Sequence, residues 1–248
     1  MSVENTVLLA VLIFAAATLY SSVGHGGASG YLAAMALIGL APAEMKPLAL
    51  TMNILVATIA TVKFYRAGYF SASLLLPFAV ASIPCAFIGG YITLPGHLYK
   101  TILGIILLCA ASIMFRTAHK AMDNQPEVKQ IPIWAALLSG AIIGLLSGLT
   151  GTGGGIFLSP LLLFMGWTET RQSSGLSAGF ILVNSIAGLL GNVSSVGVLS
   201  SSIFFLAPAA IVGGFVGSTH GSRHIGNANL RRLLAIVLII AGLKLILT

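Results

Sequence analysis

Charge is scarce in this sequence. Asp, Glu, Lys and Arg together make up 7% of its 248 residues, and just five residues are acidic. A soluble globular domain carries about 25% charged residues, so this chain cannot dress a water-facing surface. With 57% hydrophobic residues and a mean hydropathy of +1.04 it reads as an all-α integral membrane protein whose lasting partner is the lipid bilayer. Cysteine is equally sparse. Cys85 and Cys109 lie in apolar runs away from any metal-ligand spacing, which excludes a disulfide framework and a metal site and leaves them as small buried hydrophobes. No residue pattern calls for a cofactor. The formal charge of +7 brings no basic stripe interleaved with aromatics, so nucleic acid is not an expected partner. The basic residues fall between apolar runs and read as determinants of topology. The first twenty residues carry no basic group ahead of their apolar stretch and read as a first membrane helix, not a cleaved signal.

What is present is a series of apolar runs. A span needs about 20 such residues. Full-length candidates are residues 5–22, 46–62, 71–92, 98–115, 132–149, 172–190, 202–219 and 229–247, and two shorter runs occupy 28–40 and 154–166. The only long polar connection is 116–131. It divides the chain into a first repeat, 1–115, a cytoplasmic linker, 116–131, and a second repeat, 132–248.

Sliding the sequence by 127 positions supports the division. Between residues 24 and 60 it aligns Gly24/Gly151, Gly26/Gly153, Gly27/Gly154 and Gly39/Gly166. It also aligns the stretches "NILVATIA" and "FILVNSIA", with identities at Ile54/Ile181, Leu55/Leu182, Val56/Val183, Ile59/Ile186 and Ala60/Ala187. Charge orients the repeats. If all ten runs cross, one face carries Lys63, Arg66, Arg116, Lys120, Lys129, Arg171, Arg223, Arg231 and Arg232, and the other only Lys46, Lys100 and Lys244. If the short runs turn back, the tally is even. The positive-inside rule favours ten crossings, two of them short, with both termini outside the cytoplasmic (inner) membrane. Five segments per half is an odd number, so the second repeat is inverted relative to the first.

Each short run begins at a glycine cluster, "GHGGASG" at 24–30 and "GTGGGIF" at 151–157. A helix broken within the bilayer bares N–H groups that lipid cannot satisfy. A helix N-terminus carries roughly half a positive charge, which suits an anion. The candidate binding residues are therefore Gly24, His25, Gly26 and Gly27 in the first cluster and Gly151, Thr152, Gly153 and Gly154 in the second. Asn53 and Asn184, on the third helix of each half, add amide donors on a plausible shared face. His25 suits either an anion contact or a proton relay, and equally a structural role. Gly140, Gly144 and Gly148 recur at every fourth residue and read as helix packing. The segment "GTGGGIFL" lacks the Gly-Lys-Ser/Thr ending of a phosphate-binding loop.

The two clusters, the duplicated "NILVATIA" and "FILVNSIA" stretches and the size make the chain resemble the TauE/SafE family of sulfite exporters, part of the toluene-sulfonate uptake permease superfamily. The resemblance implies a secondary transporter moving a small anion, sulfite or an organosulfonate, with proton coupling compatible with such a family. Alternating access would follow from rocking one half against the other, and a homo-oligomer stays open. No residue singles out one sulfur oxyanion.

Two rival readings come from other classes. "GASG" at 27–30 matches the GxSG of rhomboid-type intramembrane serine proteases, and "STHGSRH" at 218–224, with His220, offers a histidine as base. The match is short and made of small residues, so the chain is not expected to be an enzyme. An anion channel would use the same backbone donors as a carrier.

Overall fold

The computed structural model describes residues 3–120, 129–192, 202–223 and 228–247. Ten helices and no strand occur among them. In chain order they are α1 (Val3–Ser21), α2 (Ala28–Ile38), α3 (Pro42–Arg66), α4 (Ala72–Tyr91), α5 (Gly96–Lys120), α6 (Ile133–Thr150), α7 (Gly155–Phe164), α8 (Thr170–Gly191), α9 (Ile203–Arg223) and α10 (Ala228–Leu247). Six of them, α1, α3, α4, α6, α8 and α9, are long and apolar enough to cross a bilayer. Large apolar side chains such as Trp134, Phe164, Phe204 and Phe205 are exposed, as lipid-facing surfaces require. The chain is a multi-pass membrane protein.

The two short runs are the two short helices, α2 with 11 residues and α7 with 10. At 1.5 Å per residue neither reaches about 20 Å. α5 runs on to Lys120, so the first residues of the polar connection continue a helix, while 121–128 lie outside the described residues.

Lipid is as apolar as leucine, so the helices are held by close fit and not by a hydrophobic drive. Gly140, Gly144 and Gly148 of α6 lie directly on the backbone carbonyls of Phe78, Ser82 and Ala86 of α4. Gly213 and Gly217 of α9 lie in the same way on Phe14 and Thr18 of α1, and Gly221 on Ser22 just past its end. In both ribs a side chain at any of the glycines would strike backbone. The packing reading of Gly140, Gly144 and Gly148 holds. The cysteine reading needs correction: Cys109 is exposed and Cys85 half-buried. In a membrane protein an apolar run presents one side to lipid, so its period does not say which residues are inside.

Exchanging each helix with the one five places on maps the principal pairings onto one another. α4 packs on α6 as α9 packs on α1, and α4 packs on α8 as α9 packs on α3. α3 meets α8, and α5 meets α10, across the two halves. The heaviest packing therefore runs between halves. Two hydrophobic clusters result. One joins α1, α2, α3 and α9 with α5, α10 and Ile156 of α7, around Tyr31, Met35, Leu48 and Leu206. The other joins α4, α6, α7 and α8, around Phe78, Ile143, Leu158 and Phe180. They meet along α3 and α8, where Ala60 and Phe64 pack with Ala178.

Candidate functional site

Both glycine clusters sit on helix breaks. In the first, α1 ends at Ser21 and α2 starts at Ala28. In the second, α6 ends at Thr150 and α7 starts at Gly155. The residues capping α2 and α7 are Gly27 with φ of 100° and Gly154 with φ of 79°. That left-handed geometry costs an L-residue roughly 1–2 kcal/mol and glycine almost nothing. Gly24, Gly151 and Gly153 share it. The sequence breaks where it does because only these positions tolerate the turn.

The two breaks converge. A methyl group built on Gly26 would lie 2.5 Å from Asn53 Oδ1 and 3.0 Å from Ile181 Cγ2. One built on Gly153 would strike Asn53 Nδ2 and lie 2.9 Å from the same Ile181 carbon. His25 crosses over: its ring carbon Cδ2 would stand 3.4 Å from a methyl group on Gly155, the first residue of α7. Each break also leans on the other half of the chain. Gly24 lies against the backbone of Ser174 in the first turns of α8, and Gly151 lies 3.2 Å (as a methyl position) from the carbonyl of Lys46 in the first turns of α3.

Asn53, fully buried, joins the pieces. Its Oδ1 accepts a hydrogen bond from the Ala28 backbone N–H at 3.1 Å, capping α2 from the neighbouring helix. Its Nδ2 reaches Ser185 Oγ on α8 at 3.4 Å. The first N–H groups of a helix have no intrahelical acceptor, so the amide of Asn53 occupies one place where an anion would sit. Tyr31 Oη, also buried, donates to the Gly26 carbonyl at 2.7 Å and fixes the turn. α7 differs. The repeat partner of Asn53 is Phe180, whose ring edge stands 2.9 Å from a methyl position on Gly154 and offers no acceptor.

The remaining candidates fall as follows. His25 is 9% exposed, donates its backbone N–H to the Tyr20 carbonyl at 2.9 Å, and sets its ring edge-on to Tyr20. Thr152 is buried, with Oγ1 3.1 Å from Thr150 Oγ1. Thr150 donates to the Leu146 carbonyl at 2.7 Å, so the shared proton comes from Thr152. Asn184 is buried and spends one amide hydrogen on the Phe180 carbonyl of its own helix at 2.8 Å. Its Oδ1 has no hydrogen-bond partner among the described residues. The α8 side chains that meet Asn53 and the glycines are Ile181 and Ser185, with Phe180 at Gly154. In the sequence Ile181 stands out only as a marker of the repeat. Its match with Ile54 showed a duplicated position without showing what it touches.

In this conformation the space between the breaks is filled by Asn53 and Ile181. A groove of about 660 Å³ lies elsewhere, between α4 and α8, lined by apolar residues including Ile83, Phe87, Ile186 and Leu190. For the protease reading, Ser29 is buried on α2 and His220 exposed on α9.

Comparison with known proteins gives the family. A family model described as sulfite exporter TauE/SafE matches residues 9–245. A probable membrane transporter protein of Sinorhizobium fredii is 39% identical over 239 residues, covering 96% of this chain and 97% of that protein. A probable membrane transporter protein of Methanocaldococcus jannaschii is 27% identical over 179 residues, covering 68% of this chain and 66% of its own length. No solved structure matches. The chain belongs to the TauE/SafE family of membrane transporters.

Proposed function

We propose that this membrane transporter is a secondary carrier for a small anion, sulfite or an organosulfonate, held at the paired helix breaks and passed across the inner membrane by alternating access. The observation that carries this is the meeting of Gly26 and Gly153 on the same Asn53 and Ile181 side chains. Backbone N–H groups at two helix starts, brought together by left-handed glycines, are a means of replacing an anion's water. The exchange symmetry of the packing supports two equivalent repeats, and the uneven division of basic residues supports ten crossings, inverted topology, termini outside and the 116–131 connection in the cytoplasm.

The conformation described is occluded. An anion reaches the second break only when Ile181 swings clear of Gly153. The moving bodies need not be the repeats. The two hydrophobic clusters each contain helices of both halves, so rocking half against half would tear the glycine ribs of α4/α6 and α1/α9. Rocking one cluster against the other along the α3/α8 seam preserves them. His25 stands at the seam, in reach of both breaks, where a proton could be exchanged with the anion.

Purified protein in liposomes is the test. Saturable, gradient-dependent movement of labelled sulfite or a sulfonate is the expected result. Flux that rises linearly with concentration would favour a channel. Peptide cleavage abolished by Ser29→Ala, with no anion movement, would favour a protease.

A further inference from the structure

Lys46 looks from the sequence like a loop-end charge, yet it is only 7% exposed. Its Nζ donates to the carbonyls of Gly90 at 2.9 Å, Gly89 at 3.2 Å and Ile92 at 3.3 Å, all at the C-terminal end of α4. Its Cα and Cγ pass 3.3 and 3.4 Å from a methyl position on Gly151, in the second break. Lys46 precedes Asn53 by seven residues on α3, so the two share one stripe of the helix about 10 Å apart. The second glycine cluster lies along that stripe, with Gly151 beside Lys46 and Gly153 beside Asn53.

An ionised lysine buried within a span is costly and calls for compensation. Here the compensation comes from helix C-termini. α4 ends on the ammonium, and α6 ends at Gly151 beside the lysine's stem. Each C-terminus carries roughly half a negative charge. At the second break an anion would feel the favourable start of α7 and, within a turn, the unfavourable end of α6. The Lys46 cation, bonded to the end of α4 with its stem against Gly151 at the end of α6, offsets that penalty. Among the described residues the first break has no counterpart. The repeat partner of Lys46 is Ser173, neutral, buried and bonded through Oγ to the Ser159 carbonyl at 3.3 Å. The first break also has its leading N–H already taken by Asn53, whereas the second has Phe180 in the matching place.

We infer that Lys46 is the fixed positive charge of the anion site and that it makes the two breaks unequal: the anion's charge rests at the second break, and the first is closed by Asn53. The inference rests on the carrier reading above and names which half of that site bears the charge. Lys46 acts as a positioning and charge-setting residue. It holds the α4 end in place while lowering the cost of an anion beside Gly151–Gly154.

Lys46→Gln separates the two jobs, because the amide still donates to the carbonyls while the charge is gone. Lys46→Arg keeps the charge. Sulfite is the probe, read by thermal stabilisation of the full chain in detergent and by flux in liposomes. For Lys46→Gln the half-saturating sulfite concentration rises about tenfold or more with maximal flux per folded molecule nearly kept, and Lys46→Arg stays within about threefold of the wild type. A Lys46→Gln protein that melts lower yet binds sulfite as the wild type does overturns the inference and reduces Lys46 to a cap. A wild type that neither binds nor moves sulfite or any sulfonate overturns the carrier reading itself, whatever the variants do.

Discussion

Gly26 and Gly153 flank the side-chain amide of Asn53, the first at its oxygen and the second at its nitrogen. They are 127 residues apart in the chain and matched in its internal repeat. Every consequence for binding follows from that placement, because any change on one of the three is felt by the other two.

Bulk at either glycine drives Asn53 from its place. Gly153→Leu also forces a branched residue into φ of 77°, so loss of sulfite movement with a lowered melting temperature is expected. Gly26→Val has no left-handed strain to bear, and tests the contact alone: flux should fall to background while the melting temperature drops less than for Gly153→Leu.

Asn53 can be changed in two directions. Asn53→Ala leaves the Ala28 N–H buried without its acceptor, a cost of about 1–3 kcal/mol, visible as a lower melting temperature in detergent. Asn53→Asp keeps the acceptor and adds a charge favourable to the start of α2, so the fold should hold. Its second carboxylate oxygen would stand against Gly153 at the second break and repel an anion there, and sulfite should neither stabilise it nor cross. A fast-transporting Asn53→Asp protein would contradict the placement of the site.

The rib of α6 makes a prediction indifferent to substrate. Gly144→Leu pushes against the Ser82 backbone, and should prevent stable folding with or without sulfite. Size-exclusion profiles in detergent read this directly. A monodisperse, stable Gly144→Leu protein would mean that α4 and α6 are not packed as described.

The helix inventory was legible in the sequence, since apolar runs and glycine clusters fix where spans and breaks fall within a few residues. The matched positions Gly24/Gly151 and Ile54/Ile181 were legible as well. What could not be read was partnership. Nothing local says that α4 of one half binds α6 of the other, that the N–H of Ala28 would be met by Asn53, or that Lys46 would be drawn inside. Those depend on which helix lies alongside, and in lipid all apolar faces look alike. The same ignorance led to Cys109 being expected inside when it faces out.

Cross-linking distinguishes the two ways of moving. Ser21 and Ser218 Oγ both donate to the Gly214 carbonyl, at 3.2 and 2.6 Å, so a Ser21→Cys, Ser218→Cys pair ties α1 to α9 inside one cluster but across the halves. Oxidation of that pair should leave flux intact. A pair at Ala60 and Ala178 ties α3 to α8 across the seam and should stop it. The reverse pattern would restore rocking of half against half.

An experimental structure determined with bound sulfite tests most directly whether the breaks hold the anion. The expected density lies beside Gly151–Gly154 and the start of α7, within reach of Thr152 and His25, with Asn53 still on Ala28. Density confined to another part of the molecule, with both breaks packed as they are here, would contradict it.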